Sequence, residues 1–337
     1  MARRTNLYGD LSPLNAGYVA KRTLERSNPE QVLEPFVSGK TLPANETKTI
    51  TFKRFTGDIN FAKANAYLSE GVTPVSQSVS VTDYVLTLRQ MGGLMGLTDI
   101  IDDTHPNKVA TEMFDILGEQ APRIVETDRF YALRAATNKY YSGTATSRAT
   151  VTAVVSSGLL DKLSRVLRTN VALPISRMAK TTPDFNTVAI RPAYILACHT
   201  DLEYDMENLP GWKSIENYPQ GTELLVGEIG SYKNFRVVIS QDLLPYPDAG
   251  LAIGASNTIT TSGVNSDVYP LVIFGQRAWD SVAFKGRYAV TPTAINPTPS
   301  KSDPLGQRGS VGWKTLQGSL VTNQAWMVVA EVACTLL

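Results

Sequence analysis

The chain has 337 residues, a formal net charge of +1, 43% apolar residues and 19% charged ones. That length allows two packed subdomains with their own cores, and that apolar content argues against disorder over most of the chain. Balanced charge argues against a dedicated nucleic-acid binder, which carries a basic excess for phosphate neutralisation, and does little to oppose self-association.

Residues 1–45 are polar, with Pro13, Pro29, Pro35 and Pro43 scattered through them. They read as an extended arm that lies on something else, with a short helix around Pro29–Leu33, where proline suits a first turn. Residues 47–55 form a strand, because threonine and aromatic residues favour the pleated surface and Ile50 and Phe52 share one face. A second strand runs over 79–88. Its apolar phase slips from Val79 and Val81 to Tyr84, Leu86 and Leu88, which predicts a bulge or strong twist. Between them, residues 58–74 read as a long two-stranded excursion with an exposed tip. Such a ribbon is marginal alone in water and makes physical sense when another chain covers it.

Gly92, Gly93 and Gly96 then punctuate the chain, and a helical pattern follows over about 107–136. Pro122 predicts a kink or a split there. Residues 138–157 read as a link and 159–169 as an amphipathic helix. Residues 188–198 read as a buried strand. Thr200-Asp201-Leu202-Glu203 matches a capping box, with a helix running on toward Pro210 and Gly211. Residues 235–240 and 269–274 are further strands, and 290–309, with four prolines, read as a surface linker. Residues 325–334 close the chain as a buried strand. The mixture is α+β.

The residues offer little catalytic chemistry. His105 precedes Pro106 and reads as a turn residue. Cys198 and His199 are neighbours on a strand, so their side chains point to opposite faces. The two cysteines and two histidines do not fall at the spacing of a typical structural zinc site, and two distant cysteines form no disulfide framework, which points to a reducing compartment. Gly227-Glu228-Ile229-Gly230 is not a phosphate loop. Asp99, Asp102 and Asp103 with Asp83 could hold a divalent cation, but carboxylates at a helix entry read first as a solvated cap favoured by the dipole. Asp242 and Asp248 read as turn residues. The amino terminus shows no signal sequence, and no stretch approaches the roughly 18 apolar residues of a membrane span. The expectation is a soluble product, cytoplasmic at synthesis, with no cofactor, no metal and no membrane partner. Arm, ribbon and long helix together favour an assembly protein.

Several blocks carry a family resemblance. They are Leu42-Pro43-Ala44-Asn45 leading into Ile50-Thr51-Phe52-Lys53-Arg54, then Leu68-Ser69-Glu70-Gly71-Val72-Thr73-Pro74, and Leu97-Thr98-Asp99. The most distinctive is Asp303-Pro304-Leu305-Gly306-Gln307-Arg308-Gly309 with Gly312-Trp313-Lys314. In order and spacing the chain resembles the major capsid proteins of tailed bacteriophages with the Hong Kong 97-like fold, the podovirus type with a large virion polymerase. The resemblance implies an N-terminal arm over 1–45 and an extended β-hairpin E-loop with flanking P-domain strands over 46–98. It implies a P-domain with a long spine helix over 99–149, a region mainly of A-domain over 150–310, and a return to the P-domain over 311–337.

The same resemblance implies a non-enzymatic shell subunit of the virion capsid, assembled in the host cytoplasm. It would form hexamers and pentamers, with decoration, scaffolding and portal proteins as partners. Contact with packaged DNA would be non-specific. Glu70, Gly71, Val72, Thr73 and Pro74 are the expected inter-subunit contacts at the E-loop tip. Alternatives are a nanocompartment shell of the same fold and a soluble enzyme with a carboxylate site near Asp99–Asp103.

Overall fold

The computed structural model describes residues 31–37, 41–42, 47–57, 67–68, 70–73, 76, 78–104, 109–175, 191–218, 224–254, 256–261, 263–284, 290–295, 297, 299 and 303–337. His105, Pro106 and Pro74 lie outside them, as do the side chains of Asp102 and Asp103 and most of the amino-terminal arm.

In chain order the elements are β1 (Thr41–Leu42), β2 (Thr49–Gly57), β3 (Val79–Thr87), β4 (Arg89–Thr98), α1 (Asp99–Thr104) and α2 (Val109–Arg134). Next come β5 (Lys139–Tyr141), α3 (Ser157–Thr169), β6 (Tyr194–Cys198), α4 (Glu203–Glu207), β7 (Trp212–Ser214), β8 (Glu228–Tyr232) and β9 (Phe235–Ile239). The last are β10 (Tyr269–Phe274), β11 (Trp279–Phe284), β12 (Thr291–Ile295), β13 (Arg308–Val321) and β14 (Met327–Val332). The fold is α+β.

Three sheets organise them. The largest has the order β5-β14-β10-β6-β9-β8-β7. Its central strands β6, β10 and β14 are buried along their whole length, which explains their near-continuous apolar runs. One face packs under Leu160, Leu163 and Leu167 of α3 together with Leu202 and Met206. The other packs on Phe130 and Leu133 of α2 and on Val32 and Leu33. The described part of the arm thus lies on this chain's own core. Its described helical turn is Glu34–Phe36, with Pro35 in the first turn; of the helix expected around 29–33, residues 29–30 lie outside the described residues and 31–33 carry no helix.

The second sheet is built on β13. Its fourteen residues pair with β4 along Arg308–Gln317, with β12 along Ser310–Lys314 and with β11 along Gln317–Val321. Strand β12 lies inside what the sequence presents as a linker. Its five residues are all exposed and it pairs with β13 alone among the described strands, so no buried face leaves an apolar period to read. Pro292 is tolerated there because edge strands can spare a ladder donor. The Gly92-Gly93 pair sits within β4 rather than ending an element. A Cβ at Gly93 would come within 2.7 Å of Gln120 Oε1 and 2.9 Å of Trp313 Nε1. Glycine there lets α2 and Trp313 close on the strand.

Helix α2 spans about 39 Å at 1.5 Å per residue. It runs unbroken through Pro122, against the expectation of a split. The missing N–H and the ring cost a mid-helix turn about 3 kcal/mol. Packing on both sides outweighs this: Met113, Leu117 and Ala121 are buried with Val311 and Trp313, while Phe130 and Leu133 are buried on the large sheet. The helix after β6 also differs from its sequence signature. His199 is the cap, accepting Asp201 N–H on Nδ1 at 3.1 Å, and a 3-10 turn (Thr200–Leu202) precedes α4, which ends at Glu207.

Candidate assembly surface

The third sheet is a two-stranded ribbon of β2 and β3. It pairs antiparallel from Thr49 opposite Thr87 to Gly57 opposite Val79, with no register break. The predicted bulge is absent because the apolar residues change face instead of phase. Near the root, Ile50 and Phe52 stand opposite Leu86 and Tyr84 on one face. That face packs with Leu42, Leu88 and Val282. Toward the tip, Phe55 stands opposite Val81 on the other face, with Val79 and Val85 on the same side. These four are 50–68% exposed.

One hydrogen bond closes the root of the ribbon and another, farther out, ties it to the body. Leu88 N–H donates to Lys48 O at 2.9 Å. Arg54 Nη1 donates to Asn323 Oδ1 at 2.7 Å. Between ribbon and body lies a cleft of about 1080 Å³, with Phe52, Arg54 and Tyr84 on one side and Phe36, Trp279 and Trp326 on the other. Covering a valine or phenylalanine completely is worth about 1.5–3 kcal/mol. The outer ribbon face therefore offers several kcal/mol to any chain that covers it.

In the segment between β2 and β3, Glu70, Gly71, Val72 and Thr73 are all exposed. Gly71 has φ +76° with nothing near its missing Cβ, so glycine serves the left-handed turn rather than packing. Leu68 beside them is also exposed.

The residues with catalytic colour are dispersed. Cys198 is fully buried in the core under α3, and burial pushes its thiol far above the ordinary range. Its sulfur donates weakly to Val238 O at 3.8 Å, while His199 is spent on its cap and lies tilted at 54° to the Tyr269 ring. Cys334 is likewise pushed up to about 12, chiefly by burial. Asp99 Oδ1 accepts Ile100 N–H at 2.8 Å within the first turn of α1, and the ten-residue strand β4 separates it from the ribbon residue Asp83. Asp83 stands opposite Lys53. No group of three or more His, Cys, Asp or Glu side chains with metal-site geometry occurs among the described residues. Asp248 does serve a turn, at φ +51°, accepting Asn265 N–H at 2.8 Å. Asp242 does more: it is buried and accepts from Arg123 Nε of α2 at 2.6 Å. Gly227 and Gly230 are packing glycines, since a Cβ at Gly230 would meet Lys213 O and the Trp212 ring at 2.5 Å.

Buried charges carry weight that sequence reasoning missed. Glu126 accepts Val32 N–H at 3.0 Å and Leu33 N–H at 2.7 Å, fixing the arm segment to α2. Arg129, next on that face, bonds Glu34. Glu228 takes Arg236 Nε at 2.7 Å, and Glu331 takes Arg148 at 2.6 and 2.8 Å. The readable signal was phase: Glu126 lies four and seven residues before the buried Phe130 and Leu133.

A family model described as phage capsid protein matches residues 83–299. A major capsid protein of Pseudomonas phage KPP21 is 25% identical over 245 residues, covering 68% of this chain. The match spans 60% of that relative's length. Among solved structures, the capsid of Ralstonia phage GP4 aligns over 99% of both chains with a TM-score of 0.70 at 10% identity. The capsid of cyanophage Pam1 aligns over 99% of this chain and 100% of its own with a TM-score of 0.65 at 10% identity. The head of Helicobacter pylori bacteriophage KHP40 aligns over 100% of this chain and 98% of its own, at 0.58 and 13%. The α+β fold is thus that of phage capsid structures.

Proposed function

The chain belongs to the phage capsid protein family, and from that premise we propose that it is a major capsid protein: a structural, non-enzymatic subunit that self-assembles into the shell around a phage genome. The observation that carries this reading is the ribbon face of Phe55, Val79, Val81 and Val85, apolar and left uncovered by the described residues of its own chain. A shell supplies the missing cover from a neighbouring copy. Many weak repeated contacts then make closure effectively irreversible.

Within that reading the ribbon and its excursion over 46–98 act as the E-loop, and α2 acts as the spine helix of a P-domain over 99–149. Residues 150–310 serve mainly as the A-domain around the symmetry axes, and 311–337 return to the P-domain. Residues 1–45 act as the N-terminal arm. Supporting this division, α2 is buried against both the β13 sheet and the large sheet, as a central strut would be. Glu70–Thr73 and Pro74 form the inter-subunit contacts at the tip, which fits the exposure of the first four. Hexamers and pentamers are the working oligomers, in the virion capsid, after assembly in the host cytoplasm. Decoration, scaffolding and portal proteins are the further partners, and contact with packaged DNA is non-specific. The Asp303–Lys314 block supports the podovirus type with a large virion polymerase.

Sedimentation of the expressed chain tests the function. A capsid subunit runs as large particles or as their hexamer and pentamer building blocks; a species fixed at monomer or dimer under all assembly conditions contradicts it. Deleting residues 60–76 tests the E-loop assignment separately. The expected product folds but closes no shells, and normal particles from it would remove that assignment.

A further inference from the structure

The large sheet carries unlike charge at its two ends. At the end where β6 and β9 begin, Arg165 and Arg168 of α3, Arg191 ahead of β6 and Lys233 in the β8–β9 turn line an open cleft of about 510 Å³. Lys233 is matched, with Nζ 2.6 Å from Asp161 Oδ2. Arg165, Arg168 and Arg191 make no ion pair among the described residues. Burial first, and the Arg191 charge second, hold the nearby Lys213 ammonium below its ordinary value. At the wall of the cleft Asn234, 5% exposed, donates Nδ2 to Ser164 Oγ at 3.0 Å and leaves Oδ1 without a partner.

At the opposite end β6 finishes and α4 begins. Glu203 and Glu207 are exposed there and make no ion pair among the described residues. Tyr204 between them is 49% exposed and brings a hydroxyl donor. Helices α3 and α4 pack on the same face of the sheet, because Leu160, Leu163 and Leu167 share a buried cluster with Leu202 and Met206. Each helix also holds like charges at a spacing that makes side chains neighbours: Arg165 with Arg168, and Glu203 with Glu207. Like-charged neighbours on a helix repel weakly, which charges of opposite sign from outside the helix would offset.

We infer that α4 of a second copy docks at this basic cleft, with Glu203 and Glu207 facing Arg165, Arg168 and Arg191. The inference rests on the shell reading above. The contact joins unlike surfaces head to tail, the arrangement that closes rings when the rotation fits. Exposed ion pairs are individually weak and screened by salt, which suits a contact repeated around a ring and reversible before closure. Phosphates of a nucleic acid would also neutralise three arginines. The matching carboxylates on the same layer of the same near-neutral chain favour the second copy.

Charge reversal in both partners tests it. The R165E/R168E and E203K/E207K variants should each lose roughly tenfold or more of the particle yield, by microscopy or sedimentation, and the quadruple variant should recover it. Wild-type yield from either double variant overturns the inference. So does a quadruple variant that melts like wild type yet stays unassembled. Should the reversals lower the melting temperature, the neutral R165Q/R168Q variant decides. Salt should depress wild-type assembly more steeply than the variant's, and equal slopes overturn the contact. Unchanged particles that retain less DNA would assign the cleft to phosphate instead and overturn it too. Failure of the wild-type chain to assemble would strike the shell reading itself, and this contact with it.

Discussion

Arg54 Nη1 reaches Asn323 Oδ1 at 2.7 Å across 269 positions of sequence. Asn323 also accepts Ala325 N–H at 3.2 Å, so one side chain caps the turn before β14 and holds the ribbon. The exposed ribbon face is thereby set relative to the core, not merely tethered to it.

Removing that bond should matter more for assembly than for folding. Arg54→Ala is expected to cost about 1 kcal/mol of stability. In a chain of this size that lowers the melting temperature by roughly 1–3 °C. Shell yield should fall by a clearly larger proportion, measured on the same preparation by calorimetry and sedimentation. A large melting shift with undiminished assembly would refute the positioning role.

The uncovered face makes a sharper separation. Val81→Glu and Phe55→Ser alter residues already at least half exposed, so the subunit should keep its stability to within about 0.5 kcal/mol in urea unfolding. Assembly should be strongly reduced, because a charge or hydroxyl would replace the apolar surface that a neighbour covers. Full assembly by Val81→Glu would show that no neighbour buries this face.

Gly230→Ala tests packing of the large sheet. The added carbon would sit 2.5 Å from both Lys213 O and the Trp212 ring, and a backbone carbonyl cannot turn aside. A loss of about 1–3 kcal/mol is expected from overpacking. An unchanged unfolding midpoint would mean that β7 is free to move away from β8.

One buried and one half-buried group give opposite pH signatures. Burial raises the Glu126 carboxyl above its ordinary 4.5, while the Leu33 N–H, Arg129 and the Val32 N–H pull it part of the way back. The folded state therefore holds that proton more tightly. Its contribution to stability is full below about pH 4.5 and is lost as pH rises through the raised folded value. Burial lowers His199 below 6.5, against the opposing Asp201 charge. Its contribution is present above pH 6.5 and is lost as pH falls toward the lowered value. Glu126→Gln should remove the first dependence and His199→Gln the second, read as the wild-type minus variant difference in unfolding free energy. A difference flat across pH would contradict either assignment.

Much of this architecture is legible from residue spacing, and the rest fails for identifiable reasons. The alternation of Ile50 and Phe52, the stripe of Leu160, Leu163 and Leu167, and the apolar run of β14 each mark an element with a buried side. Strand β12 has no buried side and so leaves no period. Pro122 and Gly92-Gly93 are local stop signals overridden by packing against Trp313, which only tertiary structure supplies. The ribbon was readable as two strands. Its change of apolar face was not, because a slip of phase and a change of face look alike without the partner strand. Of the tip residues, Glu70–Thr73 are seen to be exposed, and Pro74 lies outside the described residues. Their role comes from resemblance alone. Of the charges that organise the core, Glu126 is marked only by its helical phase and Glu331 not at all, because its partner Arg148 lies 183 positions away, while Glu228 pairs with Arg236 only 8 positions on.

Electron microscopy of the purified, expressed chain is the most direct test of the shell assignment. The account predicts closed particles or hexameric and pentameric rings, with density from a neighbouring copy lying on Phe55, Val79, Val81 and Val85. A uniform small oligomer with that ribbon face open to solvent would contradict it.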